Sequence, residues 1–274
     1  MTQLLKNEII AALNKVEQIV IDEGYEDDIT YFTYHKKRYL RMALSLKNHF
    51  PDKDLVVLNI GSHYLHVSLL FQFLGYKVDS LDVAEFWNLD FIKARAEKYR
   101  LKSVIDNNFE TLNSLADLDN KYDIVLFTEI LEHITFNPIL FWKKLYKLTK
   151  NKGIIYISTP NSMCLANIVK SIARIITFRG IGIPVNAIFN TVTYGHHWKE
   201  YSSSEIKRYF KNMSDDFIVK INLYHYKTVK IDNLNARLTA ILNYIGNLIY
   251  LSEDIEAIVK IDKKERWKIN PPKY

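Results

Sequence analysis

The chain has 274 residues, 48% hydrophobic and 25% charged, which is the ordinary composition of a folded globular protein. Cys164 is its one cysteine; this excludes an internal disulfide and a zinc site built from several cysteines, and it favours a reducing compartment. The net charge is +6, but the lysines are spread along the chain, which favours general surface charge over a polyanionic partner. The first apolar residues recur at helical spacing rather than in a signal-peptide run, and we expect a cytoplasmic protein.

The first part of the chain predicts helices that alternate with strands. Each apolar run is continuous and does not alternate with polar residues, which is typical of strands buried on both faces. The predicted helices span 3–22, 26–49, 67–74, 90–99 and 137–149, and the predicted strands span 55–60, 77–83, 103–109, 122–128 and 153–159.

The second part of the chain is less regular. Residues 162–200 combine an amphipathic helix with a segment interrupted by glycine and proline, and we interpret them as an insertion or lid on the acceptor side. A helix over 203–212, with Ser202 or Ser203 as its cap, and strands over 217–224 and 254–261 follow.

One apolar helical segment, residues 234–251, needs a separate interpretation. Arg237, Asn243 and Asn247 interrupt it, and it barely reaches the ~20 residues that a membrane span needs. The sequence leaves three roles open: a homodimer interface, a contact with a membrane surface, or a cover for the sheet.

Together these elements predict an α/β fold with a mostly parallel sheet and helices on both faces. We divide the chain into an N-terminal helical cap (1–50), a main domain (51–262) and a polar tail (263–274). In parallel sheets, ligands bind beyond the carboxyl ends of the strands. Gly61 and Ser62 follow the first strand, where backbone amides approach a ligand closely, and Asp82 ends the second strand, where a carboxylate can accept hydrogen bonds from two ribose hydroxyls.

Four sequence blocks carry a resemblance to a known family. They are LNIGSHYLHVSLLFQFLGYKVDSLDV (58–83), DIVLFTEILEHI (123–134), GIIYISTPN (153–161) and GHHWKEYS (195–202). From about residue 54 to 262 the chain resembles class I S-adenosylmethionine-dependent methyltransferases. This resemblance implies a Rossmann-like sheet of seven strands whose last strand is antiparallel. NNFE (107–110), EILEHITFNPI (129–139), STPN (158–161) and HHWKEYS (196–202) are similar to bacterial methyltransferases associated with polysaccharide biosynthesis.

The family's glycine loop usually reads G-x-G-x-G, and this chain departs from that pattern. His63 and Leu65 stand where two of the glycines are expected, and side chains there can crowd the cofactor. The resemblance also implies that Asn108 and Phe109 lie beside the adenine. Arg38, on the second helix, is a candidate partner for the cofactor carboxylate, although the aromatic face of that helix is more typical of packing on the domain.

The cluster Glu129, Glu132 and His133 follows a buried strand directly. If the chain turns helical at Glu129, these residues share one helix face, and two carboxylates beside an imidazole call for a cation. The Glu-x-x-Glu-His segment is similar to that of ubiquinone-pathway O-methyltransferases and small-RNA 2′-O-methyltransferases. The resemblance implies that Glu129, Glu132, His133 and a later histidine hold Mg²⁺ or Mn²⁺. That histidine is His197, or alternatively His196.

We therefore expect methyl transfer to a hydroxyl of a small acceptor, a sugar or sugar-linked group, with aromatic residues Tyr194, His196, Trp198 and Tyr201 near it. Without a metal, His133 or His197 would act as general base, with Glu129 beside them. Two alternatives stay open at this stage. One is RNA 2′-O-methylation, although no concentrated basic stripe supports it. The other is a non-catalytic binding protein with a degenerate cofactor loop.

Overall fold

The computed structural model describes residues 3–52, 54–180, 182–183, 185–192, 195–226 and 234–272. The chain folds into two compact units: unit 1 is Met1–Leu126, Lys147–Lys150 and Tyr226–Thr228, and unit 2 is Phe127–Tyr146, Asn151–His225 and Val229–Tyr274. The predicted sheet of seven strands is confirmed, in the order β3-β2-β1-β4-β5-β7-β6.

The strands lie close to their predicted positions. They are β1 (Val56–Ile60), β2 (Lys77–Asp82), β3 (Lys102–Ile105), β4 (Tyr122–Thr128), β5 (Thr149–Pro160), β6 (Phe217–Tyr224) and β7 (Asp254–Ile261). β2 pairs in parallel with both β1 and β3, whereas β7 is antiparallel to both β5 and β6. The third strand is shorter than predicted, because the chain leaves the sheet at Asp106, whose buried carboxylate accepts backbone hydrogen bonds from Asn108 and Ser114.

The helices of unit 1 begin with the two N-terminal helices, as predicted. They are α1 (Gln3–Glu23), α2 (Glu26–His49), α3 (His66–Phe73), α4 (Ala84–Trp87) and α5 (Asp90–Tyr99). The four-residue α4 was not predicted, because one turn is too short to show a helical period. Gly75 lies just after α3 with a φ of 88°, a left-handed conformation that commonly closes a helix and favours glycine.

The helices of unit 2 are α6 (Ile139–Leu148, which also extends into unit 1), α7 (Leu165–Ile176), α8 (Val185–Asn190), α9 (Ser203–Met213) and α10 (Leu234–Leu248). Ser202 caps α9: its hydroxyl accepts from the Glu205 amide, and the Glu205 carboxylate accepts from the Ser202 amide. Among the described helices, none is both long and apolar enough to cross a membrane.

Candidate functional site

The loop after β1 keeps a glycine-like backbone although two of its residues are not glycine. Gly61, His63 and Leu65 have φ angles of 68°, 45° and 65°, all in the left-handed region. A non-glycine residue in that region is uncommon, and it needs support from its surroundings. The loop therefore has, at His63 and Leu65, backbone angles that ordinarily favour glycine.

Aromatic packing holds the His63 side chain in place. Its ring stacks on Tyr31 of α2 with centroids 4.4 Å apart, and it lies 3.9 Å from the Tyr64 ring and 4.4 Å from the Phe86 ring. Burial lowers the pKa of His63 to about 3, so the imidazole is neutral at physiological pH. Tyr31 of α2 thus contacts the loop directly.

A buried polar network beneath this loop escaped the sequence prediction. Asp28 accepts hydrogen bonds from His66 Nε2 at 2.6 Å and from Arg95 at 2.5 Å, and Arg95 also binds Glu23. Burial alone would raise the pKa of Asp28, but the hydrogen bonds from His66 and Arg95 outweigh it and hold that pKa below its usual value. Arg95 further donates to the Tyr64 carbonyl at 2.6 Å, which fixes the middle of the loop.

Asp82 lies at the end of β2, as predicted, and it is buried beside the loop. Its carboxylate accepts from the His63 amide at 2.6 Å and from the Val83 amide at 2.8 Å. Burial raises the pKa of Asp82 to about 6. The Ser62 hydroxyl and His63 Nδ1 are buried and have no hydrogen-bond partner within the described ranges. Buried polar atoms are rarely left this way, and their unmet capacity suits a polar ligand.

The other predicted cofactor residues are also in unit 1, with contacts of their own. Asn108 is exposed, and its side-chain oxygen accepts from the amides of Glu110 and Thr111, closing a turn after β3. Phe109 is half-buried. Arg38 is buried on α2, and its guanidinium lies 5.5 Å from the Tyr39 ring. Their predicted roles beside the cofactor stay predictions.

In unit 2, the premise that a helix begins at Glu129 is wrong. The Glu129 amide donates to the Ser158 carbonyl of β5 at 2.8 Å, so one more hydrogen bond to β5 is made just beyond the end of β4. Glu129 then takes a φ of 55°, and a single 3₁₀ turn begins only at Leu131. The residues still converge, because the sharp turn at Glu129 replaces the helical turn that we expected.

Three of the four predicted metal ligands lie together. One ligand atom from each of Glu132, His133 and His197 falls within 4.8 Å of the other two. The nearer nitrogen of His133, Nε2, is 3.9 Å from Glu132 Oε1, and the rings of His133 and His197 are 5.0 Å apart. We call these three residues the acid–histidine cluster. Glu129 is linked to it by charge, since its carboxylate raises the pKa of Glu132.

The hydrogen bonds of the two histidines leave their Nε2 atoms available. His133 Nδ1 donates to the His196 carbonyl at 2.9 Å, and His197 Nδ1 donates to Glu200 at 2.8 Å. In a neutral ring, an Nδ1–H bound to an oxygen leaves the lone pair on Nε2, which is the usual arrangement of metal-binding histidines. The hydrogen bond to Glu200 raises the pKa of His197, so its Nε2 holds a proton more readily than that of an ordinary histidine. Between the two predicted candidates, His197 belongs to the cluster, whereas His196 is buried against Trp198.

Glu132 is almost completely buried, with 1% of its surface exposed. Oε2 accepts from the Thr159 hydroxyl at 2.8 Å, while Oε1 has no hydrogen bond within the described ranges. Burial, followed by the charge of Glu129, raises the pKa of Glu132 to about 8. A buried, incompletely paired carboxylate beside two Nε2 lone pairs fits a divalent cation by donor type and charge.

A cavity of about 660 Å³ adjoins the cluster at His197. Four polar residues of α7 line it, together with Glu200 and the Trp198 ring; the four are Asn167, Lys170, Ser171 and Arg174. Of the predicted aromatic group, His196 and Trp198 line this cavity, and Tyr194 lies outside the described residues. The cavity has the size and mixed lining of a small-molecule site.

Comparisons with known proteins identify the family and the fold. A family model described as a methyltransferase domain matches residues 34–213. The ubiquinone biosynthesis O-methyltransferase of Bartonella quintana (strain Toulouse) is 31% identical over 111 residues, which cover 40% of this chain and 43% of that protein. The chain thus matches less than half the length of this curated relative.

Two solved structures share the fold. The CurJ carbon methyltransferase superposes with a TM-score of 0.55 at 12% identity, over 90% of this chain and 61% of that chain. The PH0226 protein of Pyrococcus horikoshii OT3 superposes with a TM-score of 0.51 at 10% identity, over 88% of this chain and 93% of that chain. At such identities the likeness concerns the fold alone.

Proposed function

The chain belongs to the methyltransferase domain family, and from that premise we propose that it transfers a methyl group from S-adenosylmethionine to a hydroxyl of a small acceptor, with the help of a divalent cation. The acid–histidine cluster is the observation that supports a hydroxyl acceptor and a cation. In it, the Nε2 atoms of two histidines and a buried carboxylate oxygen converge. In this proposal unit 1 binds the cofactor and unit 2 binds the acceptor.

Several residues of unit 1 suit S-adenosylmethionine. Asp82 would accept the ribose hydroxyls, since each carboxylate oxygen uses one lone pair on a backbone amide and keeps another. The unpartnered Ser62 hydroxyl and the amides near Gly61 would bind other polar atoms of the cofactor. The left-handed loop at His63 and Leu65 argues against a degenerate, non-catalytic site, because the conformation that glycine provides is retained.

In unit 2, Glu132, His133 and His197 would hold Mg²⁺ or Mn²⁺, with Glu129 adding negative charge. Such an ion lowers the pKa of a hydroxyl that it binds and so makes the oxygen a better nucleophile. Burial lowers the pKa of His133, which keeps its imidazole neutral and its Nε2 free to bind. Without the ion, the same Nε2 of His133 or that of His197 would serve as general base.

We further propose that the acceptor is a sugar or a sugar-linked group of surface polysaccharide synthesis. The cavity beside His197 supports a polyol, because amide, hydroxyl and cationic groups line it together with the Trp198 ring. The link to polysaccharide rests on the resemblance of the four sequence blocks.

Calorimetry and Mn²⁺ binding test the two halves of the proposal separately. We expect S-adenosylhomocysteine to bind the full chain, and no heat at millimolar ligand would refute the methyltransferase function. We expect one bound Mn²⁺ per cluster by electron paramagnetic resonance, lost in His197→Ala. His225, Glu253 and Asp254 form another close group of ligand atoms, so His225→Ala is the matched control and should retain the signal.

Transfer of a radioactive methyl group to sugar acceptors then tests the chemistry. Activity that is lost with a chelator and restored by Mn²⁺ supports the cation. Activity that persists in the chelator, with a pH profile that changes in His133→Gln, would show that a histidine acts as the base instead.

A further inference from the structure

Helix α7 has its apolar side towards solvent. Ile172 is 52% exposed and Ile176 is 70% exposed, and both belong to one stripe of the helix. The opposite side, with Asn167, Ser171 and Arg174, lines the cavity. An ordinary surface helix buries its apolar stripe and exposes its polar one. In α7 this arrangement is reversed, because the apolar stripe is exposed and the polar side lines the cavity. An exposed apolar stripe of this kind is typical of a surface that binds a partner.

The exposed apolar surface continues onto the neighbouring helices of unit 2. Phe178, just after α7, is 99% exposed, and Phe189 on α8 is also exposed. α10 packs on α7, and at Gly246 the approach is close: a Cβ atom there would lie 3.1 Å from Leu165 Cβ. α10 exposes a stripe of its own, formed by Leu234, Leu238, Ile241, Ile245 and Leu248. We call the exposed apolar residues of 165–192 and 234–250 the α7–α10 apolar surface.

The charges of these two segments are of one sign. The chain has 31 acidic residues, yet none lies in 165–192 or in 234–251. The same segments contain Lys170, Arg174, Arg179 and Arg237. Lys170 and Arg174 line the cavity on the other side of α7, whereas Arg179 and Arg237 do not. An apolar surface whose own segments contain cationic residues and no carboxylate is complementary to an anionic surface.

We propose that the α7–α10 apolar surface docks onto an anionic lipid bilayer, with its side chains inserted at the level of the headgroups. α7 has 12 residues and is about 18 Å long, shorter than the ~30 Å hydrocarbon core, so it lies in the plane of the interface. Tyr244 and Tyr250 are exposed beside the aliphatic stripe, and tyrosine is enriched at membrane interfaces. A second copy of the chain fits less well, because a self-complementary interface would bring the same arginines together without an acidic partner.

Vesicle co-sedimentation of the full chain tests this proposal. We expect the protein to pellet with vesicles of 70% phosphatidylcholine and 30% phosphatidylglycerol, and to bind pure phosphatidylcholine at least about tenfold more weakly. Ile172→Ser/Ile176→Ser should weaken binding to the anionic vesicles at least about tenfold. Ile21→Ser/Ile105→Ser is the matched control, because Ile21 on α1 is 52% exposed, as Ile172 is; it should bind like the unmodified protein.

Three results would overturn the proposal. One is that the protein does not bind the anionic vesicles. Another is that the two double variants lose binding equally. The third is sedimentation equilibrium showing a stable dimer that Ile172→Ser/Ile176→Ser converts to monomer, which would assign the surface to a second copy. Far-ultraviolet circular dichroism confirms that each variant is folded, and none of these measurements depends on methyl transfer.

Discussion

Replacing Glu132 by glutamine distinguishes its effect on cation binding from its effect on folding, because glutamine has the same shape but no charge. The glutamine carbonyl can keep the hydrogen bond from Thr159, and its NH₂ takes the place of Oε1, which has no hydrogen bond among the residues described. Burial raises the pKa of Glu132 to about 8 from an ordinary 4.5. At pH 7 the metal-free folded protein must therefore bind a proton that the unfolded chain releases, which costs about 3 kcal/mol at ~1.36 kcal/mol per pH unit.

Glu132→Gln removes this cost but buries an amide without a partner, which lowers the free energy of unfolding by ~1 kcal/mol or more. We expect the variant to be about 2 kcal/mol more stable than the unmodified protein by urea unfolding at pH 7 in a chelator. Since the pKa of the folded state is raised, the cost is absent below pH 4.5 and grows until pH 8. The advantage of the variant should therefore disappear near pH 4.

Mn²⁺ should have opposite consequences for the two proteins. At a hundredfold excess over its dissociation constant, the ion would stabilise the unmodified protein by about 2.7 kcal/mol, a rise in Tm of roughly 5–10 °C. Glu132→Gln should lose most of this rise. The reasoning is refuted if the variant is less stable than the unmodified protein at pH 7 in chelator, or if its Tm responds to Mn²⁺ equally.

Three further predictions concern other parts of the chain. Asp82→Ala should weaken S-adenosylhomocysteine binding about 100-fold or more in calorimetry, since two charge-assisted hydrogen bonds are lost; an unchanged affinity would contradict its ribose role. Asp28→Asn should lower the free energy of unfolding by about 3–5 kcal/mol in urea, because Arg95 and His66 lose a buried partner, whereas a change below ~1 kcal/mol would show that the network is not stabilising. Gly246→Ala should lower the Tm, because its Cβ would lie 2.6 Å from the Leu251 carbonyl oxygen, and an equal or higher Tm would mean that α10 shifts freely.

The sequence predicted most elements because their periodicity is local. β6 and β7 begin and end where the apolar runs begin and end, and Ser202 caps α9 through neighbours three residues away. What was missed depends on distant residues. Asp28 and Arg95 meet across 67 positions, and no local pattern announces such a pair.

The candidate site shows the same division. Its residue types were predicted because Glu132, His133 and His197 belong to recognisable blocks, and they do converge. The backbone that brings them together was predicted wrongly, since Glu129 begins no helix: it hydrogen-bonds to Ser158 of β5 and takes a left-handed conformation. At His63 and Leu65 the sequence predicted side chains that can crowd the cofactor, but it gave no sign that both residues take left-handed φ angles or that the His63 ring stacks on Tyr31.

One side of helix α7 lines the cavity and the other side is exposed to solvent. The rotation of the helix about its own axis therefore decides which side chains reach each side. The insertion of one residue turns all that follows by about 100°. Such a change would swing Arg174 away from the cavity and bring isoleucines towards it. Selection on the polar pocket and selection on the outer apolar stripe therefore act on the same twelve positions. We expect relatives of this chain to change α7 by substitution within each stripe, and to place insertions or deletions in the segments on either side of it.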